Sequence, residues 1–144
     1  MPKNSDFDLQ DFLPYLLNQA AEASSYDFQR YYKGRYGMLR TEWRVLFHLG
    51  RYGKMTAKEI CNRASLHKTK VSRAVGALET KRFLTRTELP DDRRHEQLDL
   101  TKAGQAAYRD LSHEAARFDA NLVQHISQAD QDVLRRCLRQ IAGL

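Results

Sequence analysis

The sequence predicts a mainly α-helical chain with one small β-hairpin, and three observations carry that prediction. Apolar residues recur at helical spacing over most of the chain, and a charged hairpin pattern follows directly on a basic helix. Positive charge is concentrated rather than spread. Residues 51–86 hold ten Lys/Arg against Glu59 and Glu79, a balance of +8 in a chain of net charge +6, so the remainder sums to −2. Localised basicity suits a polyanion footprint better than general solubility.

At 144 residues the chain is expected to be a single domain with a real core. Residues 1–12 read as a loose, polar and acidic arm. Pro14 suits the first turn of a helix. From there Leu13, Leu16, Leu17, Ala20, Ser24, Phe28 and Tyr31 follow a helical stripe to about Tyr32, and Gly34 and Gly37 are expected to break it. This helix ends in an aromatic cluster: Tyr26, Phe28, Tyr31, Tyr32 and Tyr36. A second helix is expected over Arg40–Tyr52, burying Trp43, Leu46, Phe47 and Leu49 beside Gly50. Thr56-Ala-Lys-Glu59 is a capping box, flanked by Met55 and Ile60 at the positions of a hydrophobic staple. It opens a short helix over Ala57–Arg63, and Ala64-Ser65-Leu66 is a tight connection onward.

The next helix, His67–Thr80, is the centre of the reading. Val71, Ala74, Val75 and Leu78 fall at i, i+3, i+4 and i+7 and face a core. The opposite side carries Thr69, Ser72, Arg73 and Gly76, with Lys68 and Lys70 on its flanks, and residues 62–78 contain no acid. Short hydrogen-bonding side chains mixed with cations are what a helix needs to approach phosphates and read base edges. Two short helices, a tight turn and a basic second helix make a helix-turn-helix. The following hairpin pairs Leu84–Thr87 with Gln97–Leu100 around a charged tip, Pro90–Arg94, and acts as a wing.

Thr101 caps a long helix in which Tyr108, Leu111, Ala115, Phe118 and Leu122 form a heptad-like seam. Ser127 to Asp130 starts a last helix with an apolar face of Val133, Leu134, Cys137, Leu138 and Ile141, ended by Gly143. One small central domain cannot cover apolar seams at both ends of the chain. Either the ends pack on each other, or a second copy covers them across a two-fold axis. The second arrangement also sets two recognition helices about one DNA turn apart, as a pseudo-palindromic site requires. The fold class expected is therefore mainly α with a β-hairpin wing. Residues 39–100 form a winged helix-turn-helix, and 9–36 and 101–144 form dimerisation helices within a single chain spanning 1–144.

Other function classes lack support. No Ser/His/Asp order, phosphate-binding glycine loop or carboxylate pair stands in a recognisable context, so no enzyme is expected. His48, His67, His95, His113 and His125 show no metal-ligand spacing, and Cys61 and Cys137 are too few for a disulfide framework, so neither metal nor cofactor is expected. No signal peptide or membrane span is evident, which makes the expected compartment cytoplasmic and excludes a membrane partner.

Five segments give the chain its resemblance to the MarR family of winged-helix regulators. They are Leu13-Pro-Tyr-Leu-Leu-Asn18, Glu42-Trp-Arg-Val-Leu46, Thr56-Ala-Lys-Glu-Ile60, Lys68-Thr-Lys-Val-Ser-Arg-Ala-Val75, and a wing pattern present as Asp92-Arg93-Arg94 and then Leu100-Thr101. The resemblance covers nearly the whole chain. It implies a homodimeric repressor of transcription acting on double-stranded DNA and controlled by a small ligand or by redox chemistry. By the same resemblance Arg94 enters the minor groove beside Arg93, with Asp92 holding the Arg94 guanidinium, while Thr69, Lys70, Ser72 and Arg73 meet the major groove and Lys68 takes phosphate. A narrow minor groove concentrates negative potential and so favours arginine. His67 lies toward the core side of the helix start.

Two positions depart from the family pattern. Leu39 replaces a Thr that would cap the second helix, so Thr41 is expected to cap it half a turn later. Arg82 stands where the family has Gly; a left-handed backbone there costs an arginine roughly 1 kcal/mol.

The ligand is less legible. Trp43-Arg44 resembles members that control catabolism of aromatic acids. A pocket of Tyr15, Tyr26, Tyr36, Trp43, Arg44 and His48 would stack a small aromatic ligand and pair its carboxylate with Arg44. The plainer reading makes Trp43 core and Arg44 surface. Redox control stands as an alternative, although peroxide-sensing members use a cysteine on the first helix that this chain lacks. Cys61 and Cys137 are both expected to be buried and inert. A winged-helix adaptor for protein partners is a further alternative, but it would not need a basic recognition face.

Overall fold

The computed structural model describes residues 6–144. Six helices surround a three-stranded antiparallel sheet: α1 (Leu13–Tyr36), α2 (Arg40–Tyr52), β1 (Met55–Thr56), α3 (Ala57–Ala64), α4 (Lys68–Thr80), β2 (Leu84–Leu89), β3 (Asp92–Leu100), α5 (Lys102–Leu122) and α6 (Gln128–Ala142). The sheet order is β1-β3-β2, and its first strand was not legible in the sequence. Met55 and Thr56 pair with Leu98 and Gln97, so the staple before α3 is also the edge of the wing's sheet. Both staple residues, Met55 and Ile60, are buried.

The core is a layer between α2, α4 and the base of the wing. Val45, Leu46, Leu49, Ile60, Val71, Val75, Leu78, Leu84 and Leu98 fill it, joined from outside by Tyr32, Met38 and Leu111. All four apolar residues on the inner stripe of α4 are buried, as the spacing predicts. Trp43 and Phe47, expected in the core, are only half-buried, and Val45 takes the inner position. A ladder of ring contacts runs along the rim instead: Phe28 meets Trp43 at 5.4 Å, Trp43 meets Phe47 at 5.6 Å, and Phe47 meets Tyr108 at 5.9 Å.

Several boundaries differ from expectation. The first helix runs through Gly34 to Tyr36, because Tyr32 and Tyr36 on either side of it pack on the core; Gly37 ends it, at φ +64. There the Gly37 N–H bonds the Lys33 carbonyl at 2.9 Å in the αL capping motif, and the Met38 N–H reaches back to the Tyr32 carbonyl. Within the N-terminal arm, Asp8 caps a short 3-10 turn over Leu9–Asp11; the loose-arm reading of residues 1–5 lies outside the described residues. Thr41 does not cap α2. The helix starts at Arg40, and the Glu42 carboxylate accepts the Leu39 N–H, the half of a capping box that needs no hydroxyl at the cap. Glu42 is buried and is offset by Lys81 Nζ at 3.1 Å. The hairpin strands are longer than expected, so that only Pro90 and Asp91 form the turn.

The seam on α5 divides in two. Leu111 is fully buried within the chain, Tyr108 lies over Gly50, and Phe118 packs on Phe28. Leu122 stays exposed. α6 buries none of its residues, and Val133, Leu134, Leu138 and Ile141 face outward, as do Leu13 and Leu16 on α1. Cys137, expected to be buried, is exposed on this same face, whereas Cys61 is half-buried.

Candidate nucleic-acid interface

The recognition helix is positioned from both ends by local chemistry. Thr56 Oγ1 accepts the Glu59 N–H at 3.2 Å, and the Glu59 carboxylate accepts the Thr56 N–H at 3.0 Å, fixing the start of α3. Ser65 turns the chain in the left-handed region, at φ +52. His67 is the N-cap of α4, with Nδ1 accepting the Thr69 N–H at 3.2 Å. At the other end Arg82 occupies the left-handed region at φ +62, where the Phe83 N–H returns to the Leu78 carbonyl. This is the Schellman position at which glycine is usual, as the departure from the family pattern anticipates.

With both ends set, Lys68, Thr69, Lys70, Ser72 and Arg73 are all exposed on one side of α4, and Arg93 and Arg94 are exposed at the wing tip. The structure therefore presents all seven residues in solvent on the helix-turn-helix and wing. Lys58, Cys61, Lys68, Ser72, Arg86 and Arg94 share the walls of a cleft of about 560 Å³ between α3, α4 and the wing. Asp92 plays a different part from the expected one. Its Oδ1 accepts the main-chain N–H of Arg94 at 3.0 Å, which orders the loop and leaves the guanidinium free.

Ion pairing sorts the basic segment. Lys81 is held by Glu42, and Arg86 by Glu79 at 3.1 Å and Glu96 at 3.5 Å, so these two cations tie α4 to α2 and to the wing. Arg51, Lys54, Lys58, Arg63, Lys68, Lys70, Arg73, Arg82, Arg93 and Arg94 have no carboxylate within 4.0 Å among the described residues. An unpaired cation keeps its full attraction for phosphate, whereas a paired one must first be released. Arg63 is further ordered by stacking 4.3 Å from the centre of the Tyr52 ring.

The six residues read as an aromatic-acid pocket do not meet in one chain. Tyr15 and Tyr36 lie on one straight helix, about 30 Å apart at 1.5 Å per residue. Tyr26 is exposed, Tyr36 packs edge-on to Phe83, and Trp43 belongs to the rim ladder. The Arg44 side chain is exposed, and its carbonyl meets His48 Nδ1 at 2.6 Å. Trp43, Arg44 and His48 share α2; the three tyrosines do not converge on them.

A polar cluster between α1 and α5 has no local signature in the sequence. Asp110 accepts the hydroxyls of Tyr31 at 3.0 Å and Tyr36 at 2.5 Å and pairs with Arg35 at 3.2 Å. The Tyr36 hydroxyl, then that of Tyr31 and the Arg35 charge, hold the Asp110 carboxyl below its ordinary range against the opposing effect of burial. Burial, then the bond to Asp110, pushes both tyrosine hydroxyls up. The groups lie some 75 residues apart in sequence, so no spacing rule brings them together.

Residues 36–95 match the sequence model of the MarR family. An uncharacterized HTH-type transcriptional regulator of Bacillus subtilis, YwoH, is 25% identical over 104 residues, covering 72% of this chain and 75% of that protein. The structure of Bordetella bronchiseptica BpsR, which concerns regulation of its DNA binding by 6-hydroxynicotinic acid, is similar with a TM-score of 0.88. Identity is 17%, covering 97% of this chain and 99% of that one. A MarR/EmrR family transcriptional regulator from Acinetobacter sp. ADP1 gives a TM-score of 0.83 at 24% identity, covering 95% and 96%.

Proposed function

We propose that this chain is a MarR-family transcriptional regulator that binds double-stranded DNA as a homodimer, represses transcription there, and releases the DNA on taking up a small aromatic carboxylate. One observation carries the DNA-binding reading. Lys68, Thr69, Lys70, Ser72 and Arg73 on α4, together with Arg93 and Arg94 on the wing, form an exposed surface whose cations are unpaired. Thr69, Ser72 and Arg73 suit base edges in the major groove, Lys68 and Lys70 suit phosphates, and Arg94 suits the minor groove with Asp92 ordering its backbone.

The dimer rests on the faces that the single chain leaves open. A helix that buries nothing of its own is marginal in water, and α6 presents Val133, Leu134, Leu138 and Ile141 outward beside Leu13 and Leu16 of α1. A second copy supplies the missing cover and makes two recognition helices available to a pseudo-palindrome. The ligand reading draws on the likeness to BpsR, whose DNA binding is regulated by 6-hydroxynicotinic acid. Arg44 beside Trp43 and His48 supplies an unpaired cation next to aromatic rings, and in this reading the second chain brings Tyr15 to them.

Selection of bound genomic fragments by the purified protein, with and without a panel of aromatic acids, tests all parts together. The expected result is a shared pseudo-palindromic motif released by one class of aromatic carboxylate. Fragments without a common motif would reject sequence-specific binding, and indifference to every acid would reject the ligand.

A further inference from the structure

The segment Lys81-Arg82-Phe83, where α4 ends and the wing begins, is gripped from three sides. Lys81 Nζ reaches the buried Glu42 at the start of α2. The Arg82 carbonyl accepts the Thr101 hydroxyl at 2.7 Å, and the Phe83 carbonyl accepts the Thr101 N–H at 3.0 Å, which ties the joint to the start of α5. The Phe83 ring meets the edge of Tyr36, the last residue of α1, at 5.9 Å. Arg82 itself holds a left-handed conformation that an arginine does not favour. A strained joint keeps its shape only while its surroundings over-determine it.

Tyr36 is not fixed by packing alone. Its hydroxyl is bound by Asp110, two helical turns along α5 from Thr101, and Asp110 is held in turn by Arg35 and Tyr31. We infer that Asp110 is a positioning residue: by holding the Tyr36 hydroxyl it fixes the ring against which Phe83 sits, and so sets the angle at which the recognition helix and the wing leave their common joint. Tyr36 lies on α1, one of the two helices whose outer faces the proposed dimer covers. A shift of α1 against α5 therefore bears on the joint through the Tyr36 hydroxyl–Asp110 contact. The consequence for DNA rests on the reading in the preceding subsection; the consequence for the joint does not.

Tyr31 provides the discriminating control, because it gives Asp110 the same kind of bond without a ring contact to Phe83. Amide hydrogen exchange on the full chain, compared for Tyr36→Phe, Asp110→Asn and Tyr31→Phe, reads the joint directly through the N–H groups of Phe83 and Thr101. Tyr36→Phe and Asp110→Asn are expected to speed exchange there about tenfold, while Gly53 at the far end of α2 stays unchanged. The double variant is expected to do no more at the joint than the larger single one, since both act there through the Tyr36–Asp110 contact. Tyr31→Phe is expected to leave the joint as it is. Equal acceleration by Tyr31→Phe, or acceleration spread over the whole chain, would overturn the assignment and leave Asp110 as a general tether.

A duplex recovered by selection with the unmodified protein supplies the second measurement. Tyr36→Phe is expected to bind it about tenfold more weakly, with a shallower salt dependence as wing cations disengage. Unchanged affinity with a loosened joint would overturn the link to DNA. Failure of the unmodified protein to bind any duplex would instead reject the function proposed above, and the exchange result would still decide the joint.

Discussion

Gly104 and Gly34 both lie inside helices, yet alanine should act on them in opposite directions. A Cβ at Gly104 would stand 2.0 Å from the main-chain oxygen of Phe83 and 3.3 Å from Leu100 Cβ. Side-chain carbons essentially never approach closer than 3.0 Å, so the start of α5 must retreat by about 1 Å from a backbone group that cannot rotate away. That movement stretches the Thr101 N–H bond to Phe83 and the Thr101 hydroxyl cap on the Gly104 N–H, each now 3.0 Å. Losing the cap costs about 1 kcal/mol, and overpacking about 1–3 kcal/mol. Alanine's better helix propensity returns up to about 1 kcal/mol. The net expectation is a loss of about 2 kcal/mol, equivalent to a fall in Tm of roughly 4–8 °C for a chain of this size. At Gly34 nothing lies within 4 Å, so alanine should stabilise by about 0.5–1 kcal/mol. Thermal unfolding of both variants at one fixed protein concentration checks the pair, since any self-association makes Tm vary with concentration. A Gly104→Ala protein as stable as the parent would refute the argument that backbone contact with Phe83 requires the glycine.

Four other outcomes are expected. Arg94→Ala should weaken DNA binding about tenfold and leave the oligomeric state unchanged, as duplex titration and sedimentation will show; unchanged affinity at physiological salt would remove the wing from the interface. Leu138→Asp should yield folded monomers, because that side chain is exposed in the single chain, whereas Leu111→Asp should prevent folding because Leu111 is fully buried; circular dichroism with sedimentation separates the two. Arg82→Gly should raise stability by about 1 kcal/mol in a denaturant titration by relieving the left-handed backbone at φ +62. Asp110 adds a pH dependence of definite sign. Its carboxyl titrates lower in the folded chain, so its contribution is complete above the unfolded value of about 4 and is lost as pH falls through the folded one. Tyr31 and Tyr36 titrate higher when folded, so their contribution holds below about 10 and is lost above it. Asp110→Asn should therefore flatten the acid limb of a Tm–pH profile below about pH 4.

Much of the architecture was legible because it is written in short-range pattern. The inner stripe of α4, the Thr56–Glu59 capping box, the Met55–Ile60 staple and the Thr101 cap all depend on residues within one or two turns, and each stands as the spacing requires. The positive φ at Arg82 was legible as a departure from a family pattern. What misled was reading each apolar stripe as belonging to one surface. The α5 seam looked continuous from Tyr108 to Leu122, but its first half is consumed by Gly50, Phe47 and Phe28 of the same chain. Tyrosines and a Trp-Arg pair suggested one pocket, yet the length of α1 separates Tyr15 from Tyr36 more widely than any small ligand can span.

The sequence by itself determined most of the helices and caps, the basic face of α4 and the wing, because periodicity and capping act over distances that a few residues cover. It also made a polyanion the expected partner, since a charge balance of +8 within residues 51–86 needs no coordinates. Only the tertiary structure decided which cations are spent on Glu42, Glu79 and Glu96 and which remain free. Only the tertiary structure brought Asp110 to Tyr31, Tyr36 and Arg35, and Phe83 to Tyr36. These are contacts across long stretches of chain, and their free energy depends on geometry that no local pattern encodes.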